Sequence, residues 1–330
     1  MDHVAIDWGA KQSQICVRAG SGEIIDARRV PTAQLAEYLA RRPPSRVVIE
    51  TSVQSFAIAD QARQAGHQVR VVPATLVRLL GVGERRTKTD RRDAEALSQA
   101  SCRVELPSVH IPSTEARQRK AMCASRDAMI RTRTLLVNAA RAALRADGRS
   151  VRGTPETLPA RLRSVDGERP QHLLSLATVL ETLNAEIGQA DRALATVAKS
   201  DELCRRLMAV PGVGPVTAVR FKATLDDVSR FPTAHAVQSY LGLVPGEYSS
   251  SERQHRLGIT KAGSAPLRAA LVQAAWSARR CRRQPLMVHW SLEVEKRRGK
   301  RIAVVAMARK LAGVLFAIWR NNEEYDPTRA

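Results

Sequence analysis

Asp7 closes an apolar run in "AIDWG", Glu50 closes another in "RVVIET", and Asp90 and Asp93 stand three residues apart in "TKTDRRDAEAL". Hard divalent cations take oxygen ligands, and phosphoryl transfer by two such ions about 4 Å apart needs three or four convergent carboxylates. Each residue also has an ordinary explanation: an Asp near Gly caps a turn, and acidic side chains in the first turn of a helix complement its dipole. Together, Asp7, Glu50, Asp90 and Asp93 make a metal-ligating set. Thr89 is placed to cap the helix that carries the last two. Arg85, Arg86, Lys88, Arg91 and Arg92 surround that helix start; they suit a phosphodiester held beside the metal, and equally a solvated basic face.

A second constellation is "GEYSSSERQHRLGITKAGS", residues 246–264, with Ser249, Ser250 and Ser251 upstream of Arg253, Arg256 and Lys261. Serines beside glycine ordinarily cap turns in a solvated loop. A serine that attacks DNA phosphate needs a flexible setting, cations for the pentacovalent charge and a route for its proton. The three basic residues supply the charge, and His255 is either a base or a phosphate contact. Upstream, "VPGVGP" at 210–215 lies between two apolar helical patterns and resembles the hairpin of a helix-hairpin-helix module. There Gly212 and Gly214 let backbone N–H groups approach a phosphate.

Charge supports a polyanionic partner. Lys plus Arg number 53 against 32 Asp plus Glu, a formal +21 with pI near 10.9. Residues 1–106 hold 16 basic and 12 acidic side chains, 107–200 hold 15 and 9, and 201–330 hold 22 and 11. Phosphate gripping is therefore expected towards the C-terminus. Aromatics are only 4%, too few for a base-stacking platform. Five scattered cysteines without a C-x-x-C pair argue for a reducing compartment and against a zinc site. "MDHVAIDWGA" lacks the basic and apolar regions of a signal peptide, and no stretch approaches 18 uncharged apolar residues. The reading is a cytoplasmic protein.

The elements that must position these residues follow from periodicity. "HVAID", "SQICVRA" and "EIIDARRV" read as three strands, with "GSG" at 20–22 as a hairpin turn. A helix from Pro31, a strand "RVVIE", a helix near 55–65, a strand "HQVRVV" and a helix from "ATLVRLL" complete the order βββαβαβα. That order predicts an α/β domain, a mixed sheet with helices on both faces of the ribonuclease-H-like kind. Residues 112–147, with Met129, Leu135, Leu136 and Leu144 among many arginines, and 171–197 predict two long helices of a helical arm or dimerisation element. Beyond 201, "LRAALVQAAW" and "AVVAMARKLAGVLFAIW" predict core helices around Trp276 and Trp319, with the basic runs "ARRCRR" and "EKRRGKR" exposed between them. The expected domains are 1–106, 107–200 and 201–330.

"AIDWG", "VVIETS", "TKTDRRDAEAL", "PGVGPVTA" and "YLGLVPGEYSSSERQHRLGITKAGSAPLR", spanning positions 7–268 in order, together resemble the DEDD transposases of the one-ten insertion-sequence family, kin to Piv-type DNA invertases. The resemblance implies a RuvC-like N-terminal domain, a coiled-coil arm and a mainly helical C-terminal domain with a nucleophilic serine. It implies a tetrad of Asp7, Glu50, Asp90 and Asp93 holding Mg2+, with Mn2+ as a substitute, and a nucleophile at Ser250. Gly212, Gly214, Arg253, Arg256, Lys261 and Arg268 are the expected nucleic-acid contacts beside the arginines near Asp90. The implied partners are double-stranded DNA, a structured bridge RNA and further copies of the chain, as a dimer or tetramer in which one subunit's tetrad faces another's serine. The implied setting is the bacterial nucleoid. The chain departs from the family pattern at Ser251, where glycine is usual, and at Ser264, where Asn or Asp often stands; Ser249 and Ser251 remain alternative nucleophiles. Two rival readings are a RuvC-like junction nuclease that uses water and a non-catalytic nucleic-acid-binding protein derived from a transposase.

Overall fold

Val4, Ile6, Val47, Ile49 and Val71 alternate along their strands with Ala5, Val48 and Val72, and every one of them is buried. Period-two alternation with both sets dry requires a sheet covered on both faces. The computed structural model, which describes residues 1–79, 89–164, 170–250, 253–281 and 286–328, has that sheet. Its strands are β1 (His3–Asp7), β2 (Gln12–Arg18), β3 (Ile24–Pro31), β4 (Arg46–Glu50) and β5 (Gln68–Val72), in the order β3-β2-β1-β4-β5. β1, β2 and β3 pair antiparallel, and β4 and β5 run parallel to β1.

Helices α1 (Leu35–Ala40) and α2 (Ser55–Gln64) cover one face, with Leu35, Leu39, Ile58 and Ala62 packed against Val4, Ile6, Val47 and Ile49. On the other face α3 (Ala74–Leu79) and α4 (Asp90–Arg103) bring Val77 and Leu97 against Ala5, Val48 and Val72. The βββαβαβα order is as the sequence predicts, and the architecture is consistent with a ribonuclease-H-like domain. It forms one unit, Met1–Pro112; Ser113–Ala330 form a second.

The second unit is built on two long helices, α5 (Thr114–Ala146) and α7 (Gln171–Ser200), with the short α6 (Leu158–Arg163) between them. Arg119 pairs with Asp201, Arg126 with Asp191, and Arg133 hydrogen-bonds Asn184, so α5 and α7 run antiparallel. Val137, Ala140 and Leu144 pack on Leu158, Leu173 and Leu180. Leu136 packs beside them while Leu135 is 67% exposed, since adjacent helix positions do not face one partner.

The core of this unit gathers α8 (Glu202–Met208), α9 (Pro215–Leu225), α10 (Ala234–Tyr240), α11 (Ala265–Ala278), α12 (Leu286–Arg298) and α13 (Lys300–Asn321). Trp319 meets Phe221 with ring centroids 6.3 Å apart. α13 is long and apolar enough to cross a membrane, with mean hydropathy 1.8. Its Val304, Met307, Leu311, Leu315 and Ile318 are instead buried in this core. Two strands, β6 (Pro245–Ser250) and β7 (Arg253–Ile259), form a separate antiparallel hairpin.

Candidate active site

Pleat parity decides where the first two carboxylates point. His3, Ala5 and Asp7 share one face of β1, as Val48 and Glu50 share one face of β4. Ala5 and Val48 are partners in the parallel register and pack beneath α4. The ladder reaches Ile6 opposite Ile49, so the next step sets Asp7 beside Glu50 at the carboxyl end of the sheet, on the α4 face.

The direction of α4 brings the other two to that end. A 2.8 Å hydrogen bond joins His3 Nδ1 to Ser101 Oγ, and Arg18 Nε donates to Ser98 Oγ at 3.0 Å. The C-terminal part of α4 therefore lies over the start of β1. Eight residues back from Ser101 is about 12 Å of helix, and four residues on from His3 is about 13 Å of strand, which sets Asp93 level with Asp7. Asp93, Leu97 and Ser101 lie on the sheet-facing side at helical spacing, and Asp93 is 8% exposed. Asp90 stands in the first turn and is exposed. Thr89 caps the helix as expected, its Oγ1 accepting from the Arg92 N–H at 3.4 Å.

Asp7, Glu50 and Asp93 thus share one end and one face of the sheet, with Asp90 three residues before Asp93 on α4, and carboxylate oxygens match a hard divalent cation in donor chemistry. The side chains do not close on one point: among the described residues no three His, Cys, Asp or Glu groups are placed to hold a metal ion. Asp7 and Asp93 each already interact with another group, and like charges resist closer approach. Of the flanking cations, Arg91 pairs with Glu95 at 2.8 Å in an exposed i,i+4 bridge. Arg85, Arg86 and Lys88 lie outside the described residues.

In the second unit the serine segment is a hairpin where the sequence predicts a loop. Ser249 pairs with Gln254 and Ser250 with Arg253 across β6 and β7, at the end of the ladder, and Ser251 lies outside the described residues. The ladder sets the backbone of Ser250 opposite that of Arg253 and that of Glu247 opposite that of Arg256. Lys261, beyond the hairpin, is exposed with φ 57°.

"VPGVGP" connects α8 to α9, as the flanking apolar patterns predict. Gly212, at φ 86°, faces α11 so closely that a Cβ there would come within 2.2 Å of the Ala274 carbonyl oxygen. Packing alone therefore demands glycine at 212. Gly214 precedes the first turn of α9 with open space around its α-carbon.

Residues 4–146 match the DEDD transposase family of IS110, described as a transposase. Residues 204–289 match the family described as Transposase IS116/IS110/IS902. The chain is 29% identical to the transposase for insertion sequence element IS1111A of Coxiella burnetii, across 98% of this chain and 90% of that one. It is 29% identical to the transposase for insertion sequence element IS1328 of Yersinia enterocolitica, across 96% of each. It is 30% identical to the y4qE transposase sequence of Sinorhizobium fredii, across 82% of this chain and 74% of that one. The chain belongs to the IS110 family of DEDD transposases. It is an enzyme that cuts and rejoins DNA.

Two residues beside the transposase's serine hairpin have roles that the sequence does not disclose. Arg268 Nη1 donates to the carbonyls of Leu241 at 3.0 Å, Ala262 at 2.5 Å and Gly263 at 3.3 Å. The side chain expected on phosphate thus ties down the segment that follows β7. Gly263, at φ 68°, lies where a Cβ would come within 2.0 Å of the Tyr240 carbonyl oxygen. Gly263→Ala is expected to cost about 2 kcal/mol or more, combining positive-φ strain with a backbone collision. The check is the urea midpoint of the full chain, where an unchanged midpoint would refute the fit.

Ser264 has a plain explanation. It is the N-cap of α11, its Oγ accepting from the Leu267 N–H at 3.3 Å. Ser, Asn and Asp are about equally good N-caps, so serine here supplies the same local chemistry that Asn or Asp would. Ser264→Asn is expected to leave thermal stability unchanged, while Ser264→Ala lowers it by about 1 kcal/mol, read from paired melting curves.

Proposed function

We propose that this transposase cuts and rejoins DNA through a covalent serine–phosphodiester intermediate on Ser250. In this reading Asp7, Glu50, Asp90 and Asp93 hold a divalent cation, Mg2+ by preference, and a structured RNA selects the DNA. The observation that carries the reading is the meeting of the β1 and β4 ends on the face that α4 covers, with Asp7, Glu50 and Asp93 at that edge. Carboxylate oxygens suit Mg2+ and Mn2+, and membership of the DEDD family implies dependence on a divalent metal. When bound, such an ion neutralises charge on the reacting phosphoryl group and favours an ionised nucleophile.

The serine step balances without an external energy source. Ser250 Oγ forms a bond to phosphorus while the bond from phosphorus to one strand-end oxygen breaks. The hydroxyl proton leaves Ser250, and the departing strand end takes up a proton. One phosphate ester replaces another, so rejoining is the same reaction run backwards with a different strand end. Arg253, Arg256 and Lys261 flank the serine in sequence and are suited to the charge that develops on phosphate. The +21 net charge supports both DNA and RNA as partners.

The test is strand cleavage of element-end DNA with Mg2+ and the flanking transcript, comparing Ser249→Ala, Ser250→Ala and Ser251→Ala. Loss confined to Ser250→Ala is expected. Cleavage retained by all three would favour water as nucleophile, as in a RuvC-like junction nuclease. Cleavage independent of the transcript would remove the RNA from the reading.

A further inference from the structure

The basic run at residues 295–301 forms the corner between α12 and α13, and none of the roles above uses it. Lys296, Arg297, Arg298, Lys300 and Arg301 are all exposed there. Lys296 pairs with Glu293 at 2.7 Å. Arg297, Arg298, Lys300 and Arg301 have no ion-pair partner among the described residues. Two contacts gather neighbouring cations to the same place: Arg279, the residue that caps the end of α11, pairs with Glu295 of α12, and Lys300 Nζ lies 5.4 Å from the ring centre of Trp276 on α11. Arg280, exposed at the end of α11, joins the crest.

Helix electrostatics explains only half of this arrangement. Lys296, Arg297 and Arg298 occupy the last turn of α12, where cations complement the dipole. Lys300 and Arg301 occupy the first turn of α13, the wrong end for a cation, with no acidic residue in that turn. The cap position is Gly299, which offers no side-chain hydrogen bond. Stability alone would favour Ser, Thr or Asp at the cap and Glu three residues on. Cations that break local rules and, among the described residues, are only partly matched by carboxylates mark a surface completed by something else. The missing complement is anionic, and one with regularly spaced charges satisfies several of these side chains at once.

We infer that the α12–α13 corner grips the phosphate backbone of duplex DNA without reading its sequence. The inference rests on the reading of the chain as an enzyme acting on DNA. Duplex is favoured over single strands because the corner offers cations and uncapped helix amides but no row of free aromatic rings. Trp276, and Trp290 with Lys310 Nζ 4.9 Å from its ring centre, are already engaged by lysines.

The experiment is fluorescence anisotropy of a random-sequence DNA duplex with the full chain, across a salt series. It compares the wild type, an Arg297→Gln/Arg298→Gln/Arg301→Gln variant, and a control carrying Arg41→Gln, Arg63→Gln and Arg103→Gln in the first unit. Matching melting curves establish that each variant is folded. The corner variant is expected to bind about 10- to 100-fold more weakly at low salt, with a log–log salt slope shallower by about 2 to 3, and the control to bind as the wild type. Equal losses in both variants, or none in the corner variant, would overturn the inference while leaving the DNA enzyme reading intact. A loss seen only with a structured RNA of equal length would make the corner an RNA surface and overturn it too. Failure of the wild type to bind duplex at all would defeat the DNA reading together with the inference.

Discussion

Glu50→Gln is expected to lower DNA strand cleavage at least about 10³-fold while leaving the first unit as stable as before, or slightly more so. Activity and stability part because the same charges act differently on each. Glu50 sits at the β4 end beside Asp7, on the face that carries Asp93. Like charges gathered at one edge cost folding energy, which a neutral amide of the same shape relieves. For activity the amide is a poor replacement, because it removes one anionic oxygen ligand from a set whose donor chemistry suits a divalent cation. The metal itself gives a readout independent of catalysis. Ligand binding to the folded state raises stability in proportion to RT ln(1 + [L]/Kd), so Mg2+ or Mn2+ should raise the melting temperature of the wild type and have little effect on Glu50→Gln. Equal metal shifts in both chains would remove Glu50 from the ligand set.

The largest expected effect on stability belongs to the second unit, at Asp201. Its carboxylate caps α8 by accepting from the Cys204 N–H at 3.0 Å, and it pairs with Arg119 of α5 at 2.8 Å and Lys222 of α9 at 2.5 Å. One side chain therefore joins α5, α8 and α9 at the end of α7. Burial alone would raise its pKa, but the hydrogen bonds from Lys222, Cys204 and Arg119 outweigh burial and hold it at about 2. Asp201→Ala leaves the buried Arg119 without this partner and α8 without its cap, at an expected cost of about 3–5 kcal/mol in urea denaturation.

The sign of the pH effect follows from the depressed pKa. The contribution is fully present above the ordinary carboxylate value and is lost as the pH falls through the range from about 4 to about 2. Its size is about 2 kcal/mol, so the wild type loses that much more stability across this range than Asp201→Ala does. Parallel pH profiles for the two chains would show that the ion pairs contribute little. The neighbouring Cys204 thiol is pushed up to about 12 by burial and by Asp201, so it stays protonated in the folded protein.

The shared edge of Asp7, Glu50 and Asp93 was legible because it needs only local rules. Strand alternation in "AIDWG" and "RVVIET" sets the parity of Asp7 and Glu50, and the spacing of Asp90, Asp93 and Leu97 sets a helical face. What lay hidden depends on partners distant in sequence. Arg268 carries the same charge whether it meets a phosphate or three carbonyls, and only the fold returns residues 241–263 to it. Gly212 reads as a phosphate-approach glycine until α11 is seen packed against it. The hairpin across Ser249 and Ser250 escaped because serines and glycines have low strand propensity and 245–251 shows no apolar alternation. Ser264 is the converse case: its cap geometry shows why a serine serves at a position that Asn or Asp would also suit.

The most direct measurement of the central claim uses nicked element-end DNA as a suicide substrate, with the full chain, Mg2+ and the flanking transcript. Any covalent peptide–DNA adduct is then mapped by mass spectrometry. The account predicts an adduct on Ser250 in the wild type and none in Asp7→Ala, which ties the serine to the carboxylate edge of the first unit. Efficient cleavage with no adduct on any residue would contradict it and assign the chemistry to water.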